Sequence, residues 1–205
     1  MNKKGFTLIE LLAVITIMGI LMLVAIPAVS RTIENSRRDT FADNVVTYLN
    51  TVRNAVLADE LKCGTITTDG EGHTTFTATY NTVSGTPDGT YYVTIDTASP
   101  ATQDMMESVA KSSWGNADLK GYVAWAKSEG NTEYFAFISD VAEHGMAQEQ
   151  PELNINRGTV FATIKNVSCG ETAEHENIPC TPATAASKPT AKVGGTEPLV
   201  CQLKY

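Results

Sequence analysis

One carboxylate, Glu10, stands at the start of a stretch that otherwise suits only hydrocarbon. The nineteen residues from Leu11 to Val29 carry no charge, and at about 1.5 Å of rise per residue such a run crosses most of a bilayer core as a helix. An acid in that setting costs roughly 2.5 to 3.5 kcal/mol on insertion scales, so it calls for a partner. The chemistry open to Glu10 is electrostatic. In low dielectric its attraction to a cation is strong and an unpaired member is heavily penalised, so a pair there sets register more than it adds net stability.

The other reactive types are scattered. His73, His144 and His175 lack the Ser/Asp or Cys/Asn context of a nucleophilic triad and read as exposed loop residues. Cys169, His175, Cys180 and Cys201 are a conceivable zinc set, but their separations fit no short-knuckle pattern. Asp69, Glu71, Asp140 and Glu143 are acids of the type that bind calcium, without an Asp-x-Asp-x-Asp loop to gather them. No phosphate-cradling glycine motif is present. The expectation is a protein without cofactor or metal, and not an enzyme.

Charge narrows the partners. The 205 residues carry a net charge of −8, and from Lys62 onward nine Lys/Arg stand against seventeen Asp/Glu. Such a surface repels phosphate, so the counterion-release route to nucleic-acid binding is unsupported and no nucleic acid is expected on this part. The length suits one globular core plus an appended element. All four cysteines, 63, 169, 180 and 201, follow the apolar run and lie on one side of a membrane, where an oxidising compartment would form two disulfides.

Lys3 and Lys4 precede the apolar run and favour a cytoplasmic N-terminus, although Arg31, Arg37 and Arg38 at the far end weaken the bias. A cleaved secretory signal and a plain single-span anchor share this layout. Glu10 argues against a disposable signal, which has no use for a buried acid.

The run Lys4-Gly5-Phe6-Thr7-Leu8-Ile9-Glu10-Leu11-Leu12 resembles the class III leader of type IV pilins and pseudopilins. The resemblance implies that a prepilin peptidase cuts after Gly5 and methylates Phe6, the new N-terminus. It also implies that the Phe6 amine of one subunit pairs with Glu10 of a neighbour during assembly. Gly19 and Pro27 stand where the family places its helix-loosening residues. Pro27 lacks an N–H and crowds the Leu23 carbonyl, and Gly19 costs about 1 kcal/mol against Ala. The resemblance covers about the first thirty residues strongly and the next thirty by pattern; beyond Cys63 nothing specific matches.

After Ser30, Ile33, Phe41, Val45, Leu49, Val52 and Val56 recur at helical spacing, an apolar stripe on a continuing helix that Arg37 interrupts. Gly64 would close it, so the mature helix is expected from Phe6 to Cys63, about 87 Å at 1.5 Å per residue. Runs 74–80 and 90–96, joined by Ser-Gly-Thr-Pro-Asp-Gly, read as a hairpin, as do 121–127 and 133–139. A helix is expected over 102–112, with Met105, Met106 and Val109 toward the core, and a strand over 159–166. Trp114 and Trp125 read as core.

The resulting expectation is an α+β pilin fold: a long N-terminal helix, transmembrane first and amphipathic after, packed on a 4-5-stranded antiparallel sheet. Residues 1–5 would be leader, 6–30 the membrane and polymerisation helix, 31–63 its amphipathic continuation and 64–205 an extracytoplasmic head with a loop region at 170–198. The resemblance points to Cys180 with Cys201, closing a C-terminal loop, and Cys63 with Cys169, among three possible pairings. It implies a structural filament subunit, first a single-pass protein of the cytoplasmic membrane with its head outside, then extracellular. Its partners would be copies of itself, other pilins, the peptidase, and an assembly platform with its ATPase. A pseudopilin of a type II secretion or competence system, or a minor pilin acting as adhesin, shares these features.

Overall fold

In the computed structural model, residues 7–71, 73–106, 109–115, 117–140, 144–146, 148–161 and 188–204 are described. Two units emerge, residues 1–37 and 38–205.

Helix α1 runs from Leu8 to Leu57 and contains Pro27. Its first half exposes Leu8, Ile9, Leu11, Leu12, Val14 and further apolar side chains to Val29. It is the one helix among the described residues long and apolar enough to cross a membrane. Its second half buries Phe41, Ala42, Val45, Tyr48, Leu49, Val52 and Ala55. These recur every three or four positions and make one apolar face. Each large side chain there is worth about 1.5–3 kcal/mol of burial. Four of the six stripe residues expected from the sequence belong to this face; Val56 packs at its margin, whereas Ile33 is exposed.

α1 ends six residues before the expected Cys63. The Asp59 N–H bonds to the Val56 carbonyl at 3.2 Å and the Glu60 N–H to that of Ala55 at 3.0 Å, with Asp59 at φ +55°. This is a Schellman closure with aspartate in the left-handed position that glycine usually takes. Cys63 and Gly64 therefore lie in a strand, β1 (Leu61–Thr68).

β2 (Thr74–Tyr80), β3 (Gly89–Asp96), β4 (Leu119–Ser128) and β5 (Asn131–Asp140) follow. Short strands β6 (Gly145–Met146), β7 (Gln150–Pro151) and β8 (Val160–Phe161) come next, and β9 (Leu199–Leu203) closes the chain. Their order in a single sheet is β2-β1-β9-β3-β4-β5-β6-β8, with β7 on β5. Among the described residues nine strands form the sheet rather than four or five, three of the extra ones being two residues long.

Pairing is antiparallel throughout except between β3 and β9, which are parallel at Tyr91↔Leu199 and Tyr92↔Val200. The expected β4–β5 hairpin is present, turning on Glu129 (φ +51°) and Gly130 (φ +83°), two left-handed residues as a tight hairpin requires. The other expected hairpin is not. β2 and β3 fall at the expected places, but β2 pairs with β1 and β3 with β4 and β9. The physical reason is that β1, whose first three residues were expected to end the helix, and β9, for which no strand was expected, take the places between them. The short helix α2 covers only Pro100–Met105 instead of 102–112. Of the strand expected over 159–166, Val160 and Phe161 are strand and 162–166 lie outside the described residues.

One face of the sheet, with Leu61, Cys63, Tyr91, Val93, Ile95, Val123, Trp125, Ala136 and Ile138, shares a core with the buried face of α1. Trp114 also joins this core, as expected, tilted against Phe41 with centroids 5.9 Å apart. A second cluster, Tyr122, Ala124, Ala126 and Phe135 with Tyr92, Phe137 and Val193, covers the opposite face.

Candidate functional site

The N-terminus of α1 is built around Thr7 and Glu10. The Thr7 backbone N–H and hydroxyl each donate to Glu10 Oε2 at 2.8 Å, and the Glu10 N–H reaches Thr7 Oγ1 at 3.3 Å. This is a capping box: two side chains satisfy the donors that a helix start leaves without intrahelical partners. Both local bonds to the carboxylate land on Oε2. The sequence reading found Glu10 but passed over the Thr-x-x-Glu spacing that marks such a box. Glu10 is exposed among the apolar side chains of Leu8, Ile9, Leu11 and Leu12. Gly5 and Phe6 lie outside the described residues.

Gly19 and Pro27 both sit inside an unbroken α1. Nothing lies within 4 Å of a Cβ added at Gly19. Near Pro27 the Thr32 hydroxyl bonds back to the Ala28 carbonyl at 3.1 Å.

The cysteine pairing expected from the resemblance is corrected. Cys63 is joined to Cys201, and the two are directly opposed partners of β1 and β9. Cys180 with Cys201 and Cys63 with Cys169 are both excluded by that bond. It also removes Cys201 from the conceivable zinc set. Cys169, His175 and Cys180 lie outside the described residues. Neither cysteine of the bridge is accessible, at 0% and 1% exposure.

Close to the bridge, Asp59 gathers three segments. Its Oδ1 accepts the N–H groups of Val83 at 2.7 Å and Ser84 at 3.1 Å, and Lys204 Nζ lies 3.5 Å from Oδ2. The Lys204 ammonium also donates to the Asp59 carbonyl. The Ser84 N–H chiefly, with the Val83 N–H and Lys204 adding and burial opposing, holds the Asp59 carboxyl below its ordinary value.

The histidines differ in setting. His73 is exposed in the β1–β2 turn, with Nδ1 3.2 Å from Asp69. His144 departs from the expected exposed loop position. It is half-buried, bonds through Nδ1 to the fully buried Asp140 at 2.9 Å, and stacks on Trp114 at 4.8 Å. Ser112 donates to the same Asp140 oxygen at 2.8 Å. Serine, histidine and aspartate thus meet, but the hydroxyl bonds the carboxylate instead of the imidazole, so the base of a triad does not reach its nucleophile. The arrangement ties the loop before β4 to the end of β5.

The acids considered for calcium are not brought together. Asp69 and Glu71 belong to the β1–β2 turn, whereas Asp140 ends β5 beyond β9, β3 and β4; Glu143 lies outside the described residues. Among the described residues no group of three His, Cys, Asp or Glu could hold a metal ion.

Residues 1–26 match the family model described as the prokaryotic N-terminal methylation motif. This is the class III prepilin leader characteristic of type IV pilins. No curated protein and no solved structure matches the chain.

Proposed function

We propose that the chain is a structural subunit of a type IV pilus or pilus-like filament, cut between Gly5 and Phe6 and polymerised through the first half of α1. The observation that carries this reading is the methylation-motif match over residues 1–26, with a single carboxylate, Glu10, one helical turn from the cleavage point.

Cleavage creates an amine on Phe6 in the same apolar setting as Glu10. In the unassembled subunit the carboxylate accepts its local bonds from Thr7 on Oε2, and Oε1 takes neither of them. The amine of an incoming subunit can therefore approach Glu10 without first dismantling the helix cap. Since an unpaired charge in low dielectric is strongly disfavoured, the pair selects the one axial step at which both members are satisfied. The apolar half of α1 then exchanges lipid for neighbouring helices. Gly19 and Pro27 are the positions at which α1 would loosen as it packs.

The head needs only to fold and to be carried. Its sheet and the second half of α1 form one core, fastened by Cys63–Cys201 on the oxidising side. The peptidase, an assembly platform with its ATPase, other pilins and copies of the chain itself are the partners this process requires.

The test is the N-terminal mass of the mature protein together with its abundance in a sheared surface fraction. A methylated Phe6 terminus and an abundant sheared product support a filament subunit. A mature terminus with no sheared product points to a pseudopilin. A chain beginning at Met1, or near Arg31, removes the reading.

A further inference from the structure

We propose that the head binds a neutral saccharide in a pocket of about 630 Å³ where strands β3 and β9 part. The two are registered only at Tyr91↔Leu199 and Tyr92↔Val200, yet β3 runs on to Asp96 and β9 to Leu203. Beyond that point β9 stays with β1 through Lys62↔Gln202 and the bond from the Lys204 N–H to the Glu60 carbonyl at 3.0 Å. β3 stays with β4 as far as Asp96↔Lys120. α2 packs against both diverging strands. Its Thr102 hydroxyl accepts the Asp96 N–H at 3.0 Å, a donor that further pairing with β9 would have used.

The side chains around the split define the ligand class. Lys62, Thr94, Asp96 and Gln202 alternate along their strands with Leu61, Cys63, Val93, Ile95 and Cys201 of the core shared with α1, so they stand together on the opposite face. Among the described residues the Lys62 ammonium, the Gln202 amide and the Thr94 hydroxyl have no hydrogen-bond or ionic partner. Asp96 takes the Ala98 N–H at 3.1 Å and the Lys120 ammonium at 3.2 Å, and a carboxylate has lone pairs to spare beyond these. The ammonium groups of Lys62 and Lys120 stand against the carboxylates of Asp96 and Asp104. A phosphate or a polyamine therefore meets repulsion along with attraction, whereas a neutral ligand rich in hydroxyls finds donors and acceptors side by side. Tyr92, Val200 and Met105 add apolar surface for the C–H faces of a sugar ring. The volume falls within the ~300–1,000 Å³ usual for small-ligand pockets.

An extended peptide is the competing occupant, because open strand edges capture strands. The split offers too little edge. The Thr97 N–H bonds the Leu119 carbonyl of β4 at 3.0 Å, so by alternation Tyr92, Thr94 and Asp96 aim their backbone groups towards β9. Tyr92 is already registered with β9 and the Asp96 N–H is taken by Thr102. That leaves Thr94 to face Cys201 and Leu203.

The site goes beyond the filament reading and does not depend on it. The experiment uses the full-length protein in a detergent without a sugar headgroup, and measures saturation transfer to neutral di- and trisaccharides of glucose, galactose and N-acetylglucosamine. Inorganic phosphate, spermidine and a capped neutral hexapeptide are run as competitors. At least one saccharide is expected to bind, with Thr94→Val and Gln202→Ala each weakening it about tenfold, the order of one lost hydrogen bond. The thermal midpoint without sugar should stay unchanged in at least one of the two variants, which then carries the comparison. Phosphate and spermidine should not displace the sugar. Absence of transfer to every saccharide overturns the site, as does binding that neither substitution weakens. Displacement by phosphate or spermidine, or by the hexapeptide at lower concentration than the sugar, overturns the ligand class. Each of these failures leaves the filament reading intact, since that reading is tested by the mature N-terminus and the sheared fraction.

Discussion

Thr7 and Glu10 cap α1 for each other: the threonine N–H and hydroxyl meet one carboxylate oxygen at 2.8 Å each, and the glutamate N–H returns to the threonine hydroxyl at 3.3 Å. The acid that a greasy segment would otherwise carry at a loss is thus already hydrogen-bonded before assembly, and the helix start costs less to hold in the bilayer.

Replacing Glu10 by Val is expected to leave the protein membrane-inserted while filament yield in the sheared fraction collapses. Thr7→Val keeps the carboxylate for the partner's amine but loses the hydroxyl bonds, at a cost of about 1 kcal/mol to the helix end. Its yield should fall between wild type and Glu10→Val. Normal yield from Glu10→Val would remove the assembly role of this residue.

The Cys63–Cys201 bridge closes a sequence separation of 138 residues, for which chain-entropy arguments give about 4–5 kcal/mol of stabilisation. The double variant Cys63→Ala/Cys201→Ala should lower the thermal midpoint of the head markedly. A non-reducing peptide map should recover the two cysteines joined. A map pairing Cys201 with Cys180 would overturn the Cys63–Cys201 bridge.

Acid sensitivity should have a component from Asp59. Its folded carboxyl is held low, so its contribution is complete above the ordinary carboxylate value of roughly pH 4 and is lost as pH falls through the lower folded value. Asn at this position keeps an acceptor and tolerates φ +55° but has no proton to gain. Asp59→Asn should therefore flatten the fall of the thermal midpoint below about pH 4. An unchanged slope would assign the acid loss to other carboxylates.

Leu49 is fully buried where α1 meets the sheet. Leu49→Ala should cost about 2–5 kcal/mol in head stability, read by thermal denaturation of the detergent-extracted chain. Val14→Ala, an exposed position on the apolar half, should leave that midpoint where it is.

Gly64 has no room for a side chain: a Cβ there would lie 1.9 Å from the Thr77 carbonyl oxygen. Gly64→Ala is expected to push β2 away from β1, weakening the ribbon and raising amide exchange along Thr74–Tyr80. Unchanged exchange would show that the backbone gives way elsewhere.

Residue types and spacing alone determined the apolar and amphipathic parts of α1 and the single acid at its start. The apolar run, its lone acid, the stripe Phe41-Val45-Leu49-Val52 and the Thr7–Glu10 spacing are all local patterns, set by neighbours within one or two turns. The β4–β5 hairpin was legible for the same reason, its two strands being separated by only two residues. What tertiary structure alone decided were the contacts between distant segments. An aspartate in place of glycine at the left-handed position hid the end of α1, because its strain is offset by Val83, Ser84 and Lys204, far away in the chain. The place of β9 between β1 and β3 could not be read from five residues at the chain's end, since a strand's partner is chosen by packing across the whole sheet. The disulfide followed from that choice: Cys63 and Cys201 are bonded because the sheet sets β1 beside β9, and no spacing between cysteines encodes that.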